Sequence, residues 1–137
     1  MEKLSTRTKE KIKNLKTWVK QLEKITPKTY KNYKSDFIIS SACERITEKI
    51  IEEMIIISNL ILKEKGITKK EKPFEILKDL DILSNKLSER LEKIKGMRNL
   101  MVHSYDSFDE EIFYLNLKNL INDSKQYIKE LENNPNI

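Results

Sequence analysis

Apolar residues recur along most of this chain at steps of three and four, the spacing of helices that bury one face. Ile12, Leu15, Val19 and Leu22 form one such stripe, with Trp18 beside it, and predict a first helix from about Thr6 to Ile25. Pro27 and the polar run Lys28–Lys34 predict a break. A long second helix is predicted from about Ser35 to Lys65, closed by Gly66 as a left-handed cap after a lysine-bearing last turn. Its middle is not one-sided: Ile50, Met54 and Ile57 define one direction, and Ile51, Ile55 and Leu62 point elsewhere. A helix apolar on more than one side must be buried on more than one side, so a second copy of the chain is expected to pack across it. The isoleucine run also has β-branched character, but Glu, Lys and Leu continue it on both sides with no turn residue, which favours helix over strand.

A short third helix is predicted from about Glu71 to Leu83. Its start is either a capping box at Thr68-Lys69-Lys70-Glu71 or a first turn opened by Pro73. A fourth runs from Ser84, as N-cap, to about Val102 on a stripe of Leu87, Leu91, Ile94 and Met101. A fifth follows Ser107-Phe108-Asp109-Glu110, which has capping-box form, and carries Ile112, Leu115, Leu120, Ile121 and Ile128 to about Leu131. The expected architecture is all-α: one domain over residues 1–137, an antiparallel bundle of about five helices, with Asn133–Ile137 fraying.

Composition agrees with amphipathic helices: 38% hydrophobic, 36% charged, and only 2 Gly and 3 Pro to supply turns. The longest apolar stretch, Met54–Ile57, is far too short to span a bilayer, and lysine-rich Met1–Lys20 does not resemble a signal peptide. A cytoplasmic protein is expected. The formal net charge of +5 leans towards polyanionic partners, although such a charge also keeps ordinary domains soluble. Cys43, the lone cysteine, sits among apolar residues and is read as a small buried thiol. One His and one Cys far apart do not make a zinc set, so no metal and no cofactor are expected. Asp109-Glu110-Glu111 reads as acidic residues in a helix's first turn.

Chemistry concentrates in Gly96-Met97-Arg98-Asn99-Leu100-Met101-Val102-His103-Ser104-Tyr105-Asp106, which holds the only histidine. A lone histidine near a helix end is more commonly a cap or a surface residue than a catalyst, and local chemistry leaves both roles open. Arg98 and His103 are five residues apart, about 140° around a straight helix, and do not share a face. Asn99 and His103, four apart, do. Arg98 and His103 converge only if the helix ends near His103 or the arginine wraps across.

Arg98, four residues, then His103 resembles the hallmark of the HEPN superfamily, with Asn99 at its frequently polar position after Arg. Tyr105, two residues past His103, extends the resemblance to the HepT toxins encoded beside a minimal nucleotidyltransferase antitoxin. Ala42-Cys43-Glu44-Arg45, Ile50-Ile51-Glu52 and Ile57-Ser58-Asn59 resemble the family's long second helix, Phe74-Glu75-Ile76-Leu77 with Leu80 its third, and Asp109 and Tyr114 its C-terminal part. The resemblance covers roughly residues 35–131. Ser104 departs from it, standing where an acidic or other polar residue is common.

The resemblance implies a homodimeric, metal-independent ribonuclease, with Arg98, His103 and Asn99 catalytic at a dimer cleft and RNA as substrate. Neutral His103 would take a proton from a ribose 2′-hydroxyl, and Arg98 would hold the phosphate. Tyr105 is either a packing residue or, as the family implies, the residue that a nucleotidyltransferase antitoxin modifies with AMP. Two other readings share the fold: a non-catalytic subunit that binds and regulates a nucleotidyltransferase, and a purely structural bundle that leaves the Arg98–Tyr105 cluster without a reason.

Overall fold

A computed structural model describes residues 4–69, 71–103, 108–135 and 137, with backbone alone at positions 100, 102 and 103. Six helices follow one another: α1 (Thr6–Ile25), α2 (Tyr30–Ser35), α3 (Phe37–Glu64), α4 (Pro73–Asp79), α5 (Asn85–His103) and α6 (Glu110–Glu132). No strand occurs among the described residues, so the isoleucine run of α3 is helical. Long α3 is the spine. It packs against α1, α2, α4 and α5, while α6 closes the bundle against α1, α2 and α5. Side chains from all six helices join one contiguous apolar core. None of the helices among the described residues is long and apolar enough to cross a membrane.

The expectation of about five helices misses α2. The polar run 28–34 contains a six-residue helix capped by Thr29, whose hydroxyl accepts from the Asn32 N–H. Its reason is tertiary. Tyr33 is wholly buried, its ring centroid 5.0 Å from that of Tyr114, with Tyr30 stacked alongside. The Tyr114 hydroxyl donates to the Pro27 carbonyl at 2.7 Å and ties α6 to the loop before α2. Burial, then nearby Glu44, raises the Tyr33 phenol well above its ordinary pKa.

The helix ends follow local chemistry. Asp36 caps α3 through the Ile39 N–H. Gly66, at φ +78, closes it with two reverse bonds, Ile67 N–H to the Leu62 carbonyl and Gly66 N–H to the Lys63 carbonyl. At the start of α4 it is Pro73 that occupies the first turn, not a Thr68 capping box. The orphan N–H groups of Phe74 and Glu75 donate instead to the Glu92 carboxylate of α5, at 3.0 and 3.2 Å. α4 ends at Asp79, short of the expected Leu83, and the chain turns through Asp81 at φ 59. Asp109 caps α6 through the Ile112 N–H; Ser107, the cap expected there, lies outside the described residues. Asn134, past α6, donates to the carbonyls of Asp81 and Ile82 at 3.0 and 3.1 Å.

The two-sided character of α3 is met in large part by its own bundle. Within one chain, Ile50, Ile51, Met54 and Ile57 are 0% exposed and Leu62 is 1% exposed. Neighbouring helices of the same chain cover most of both directions, while Ile55 is only partly buried and Ile56 is 37% exposed, which leaves apolar surface on α3 for a second copy. Among the described residues the exposed large apolar side chains are Phe37, Ile38, Ile56, Ile112 and Leu115.

Candidate functional site on α5 and α3

α5 presents Leu87, Leu91, Ile94 and Met101 to the core, at steps of four, three and seven. Arg98 divides that last step into four and three, so it stands at a core-facing position where the pattern calls for an apolar residue. Its side chain is 31% exposed and reaches α3, where Nη2 donates to Glu52 Oε1 at 3.1 Å. Lys49 Nζ lies 3.9 Å from the other oxygen of Glu52. Arg98 Nε is buried and has no hydrogen-bond partner among the described residues. A buried donor left unpaired costs about 1–3 kcal/mol. The guanidinium is thus held at one corner, with N–H groups to spare.

The remaining site residues fall as follows. Asn99 is exposed, one helical step away from the Arg98 stripe. α5 is helical through His103, so no break intervenes between Arg98 and His103, and the two positions differ by about 140° of helical phase. Asn99 and His103 share a face. The His103 side chain, Ser104 and Tyr105 lie outside the described residues. Among the described residues, no group of three His, Cys, Asp or Glu is placed to hold a metal ion. Cys43 is buried, and burial pushes its thiol pKa up, which disfavours the reactive thiolate.

Glu52 is the residue that sequence reasoning missed as part of the site. Glu48, Glu52 and Glu53 look alike in sequence; only the packing of α5 on α3 singles out Glu52 as the arginine's partner. A signal did exist on the other side of the contact, in the charged residue that interrupts the α5 stripe. Further along α3, Glu44 is raised above the usual carboxylate range by burial and then by Glu110 and Glu48.

Comparisons with known proteins give the family and the fold. The family described as Ribonuclease HepT-like matches residues 15–131. The chain is 25% identical over 121 residues to the mRNA nuclease HepT of Shewanella oneidensis, covering 86% of this chain and 90% of that one. It is 36% identical over 64 residues to a provisionally assigned RNase of Archaeoglobus fulgidus, a match that spans 45% of this chain and 48% of the relative. Its fold superposes on the tri-AMPylated Shewanella oneidensis HEPN toxin in complex with MNT antitoxin, with a TM-score of 0.84 and 22% identity, over 94% of this chain and 98% of that one. The architecture is the HEPN helical bundle, and the chain belongs to the ribonuclease HepT-like family.

Proposed function

We propose that this protein is a metal-independent endoribonuclease, the toxin of a toxin–antitoxin pair, acting in the cytoplasm as a homodimer whose cleft is lined by Arg98 and His103. The observation that carries the reading is Arg98 itself. A cation occupies a core position of α5, anchored through one N–H and leaving a buried Nε unpaired. The arginine side chain remains 31% exposed, and a forked, permanent positive charge suits a phosphate. The named nuclease relative and the toxin–antitoxin complex among the structural neighbours support the same class.

The chemistry needs only groups the chain supplies. Neutral His103 accepts the proton of a ribose 2′-hydroxyl, and the oxygen attacks the adjacent phosphorus. Arg98 stabilises the charge that grows on the phosphoryl oxygens. His103 of the partner subunit protonates the departing 5′-oxygen, giving a 2′,3′-cyclic phosphate and a 5′-hydroxyl. Asn99, on the face of His103, orients the imidazole or binds a phosphate oxygen. Two copies facing each other would bring both pairs of Arg98 and His103 into one groove, one histidine serving as base and the other as acid. A minimal nucleotidyltransferase antitoxin silences the site by adenylylating Tyr105, which places a bulky anion beside Arg98.

The test is product analysis on RNA and on matched DNA. RNA cut to 2′,3′-cyclic phosphate ends by the wild type and not by His103→Ala is the expected result; cleavage of the DNA would rule the mechanism out. Harmless expression of both proteins in cells lacking the antitoxin would favour a non-catalytic subunit. A mass increase on wild type but not on Tyr105→Phe, after incubation with the nucleotidyltransferase and ATP, tests the modification.

A further inference from the structure

We propose that Glu52 is a positioning residue for the reaction, fixing the Arg98 guanidinium in the orientation that receives the scissile phosphate. The inference rests on the ribonuclease reading above. Glu52 projects from the middle of α3, next to Ile51 and two residues from Met54, both wholly buried. Its carboxylate is therefore carried by a backbone segment anchored in the core. It meets Arg98 through one N–H, at 3.1 Å, with the two side chains 30% and 31% exposed. A two-point pairing would have occupied the arginine's fork, which is the part that recognises phosphate. A one-point contact restrains the group and leaves the Nη1 donors and the second Nη2 donor for a ligand.

The restraint matters because a long, flexible side chain must otherwise be ordered when substrate binds, and small misplacements of a reacting group are costly in rate. Lys49, 3.9 Å from the free oxygen of Glu52, adds a second cation to the same carboxylate and limits its swing. Glu52 acts through Arg98 and needs no contact with RNA.

The experiment compares wild type, Glu52→Ala and Glu52→Gln on a mixed-sequence single-stranded RNA, with thermal melting measured in parallel. Glu52→Ala is expected to lower kcat by about 10–100-fold while KM moves little, at a melting temperature close to wild type. Glu52→Gln keeps an oxygen that accepts from Nη2 but loses the charge, so it should recover most of that loss and stay within about tenfold of wild type. A purely structural role gives the opposite pattern: activity that tracks melting temperature, with no selective recovery by glutamine. If Glu52→Ala does not fold, Glu52→Met, which keeps the bulk of the side chain and removes both acceptor oxygens, carries the test in its place, and an unchanged kcat there overturns the proposal. Wild type that cuts RNA, with both variants equal to it, sinks the positioning role alone. Wild type that cuts no RNA sinks the ribonuclease reading and this inference with it.

Discussion

Tyr127 and Arg98 both carry polar atoms into the helical core, and the structure treats them differently. Tyr127 is 0% exposed, and its hydroxyl lies 2.7 Å from Ser58 Oγ and donates to the Met54 carbonyl at 3.0 Å. Its ring stands edge-on to Phe74, so every part of the side chain is used. Among the described residues Arg98 has one hydrogen bond, to Glu52, and its buried Nε has none. An unpaired buried polar atom costs about 1–3 kcal/mol, and the Tyr127 hydroxyl avoids that cost with two partners. Arg98 is partly exposed and held through one Nη2 N–H, which leaves its other Nη donors for a ligand.

The largest effects should separate the two residues by what they change. Arg98→Met places an apolar side chain in the α5 stripe and removes the unpaired Nε. RNA cleavage should fall by at least about 100-fold, the scale of losing one electrostatic stabiliser, while the melting temperature holds or rises. A core control moves in the other direction. Leu91→Ala, two stripe positions earlier and fully buried, should cost about 2–5 kcal/mol through its cavity, read by denaturant unfolding. Its folded fraction should still cut RNA.

Tyr127→Phe sharpens the comparison further. It strands the buried Ser58 hydroxyl and should cost about 1–3 kcal/mol, on the order of 4 °C of melting temperature per kcal/mol, with kcat unchanged. Glu44 gives a smaller, pH-dependent effect. Its folded pKa is raised by burial, Glu110 and Glu48, whereas the unfolded chain keeps it near the ordinary value of about 4.3. The folded state therefore binds this proton more tightly, and the associated stability is present below the unfolded pKa and lost as pH rises through the folded one. Glu44→Gln should melt higher than wild type at pH 7, with the advantage vanishing below about pH 4. The smallest effect belongs to the exposed pair Lys16–Glu132, where Glu132→Gln should shift stability by less than about 1 kcal/mol.

How much of this was legible in the sequence varied with how local its cause is. The α1 stripe predicts Thr6–Ile25, and the helix has those bounds, because a one-sided apolar pattern with polar flanks leaves little else to decide. α2 was illegible: one inward residue in six shows no period, and only Tyr30 and Tyr114 packing on Tyr33 explains it. The start of α4 was open between two caps because its actual partner, Glu92, comes from another helix. At the site, Arg98 stood out through its resemblance motif, yet its place in the core stripe and its bond to Glu52 depend on how α5 lies on α3. The roles of His103, Asn99 and Tyr105 rest on the resemblance and on the chemistry of their side chains.

The most direct test measures RNA cleavage and melting temperature together on wild type and Arg98→Met. Loss of cleavage with a melting temperature equal to or above that of wild type is predicted. Retained cleavage, or a loss that merely follows unfolding, would contradict the claim that Arg98 is kept in the core for chemistry.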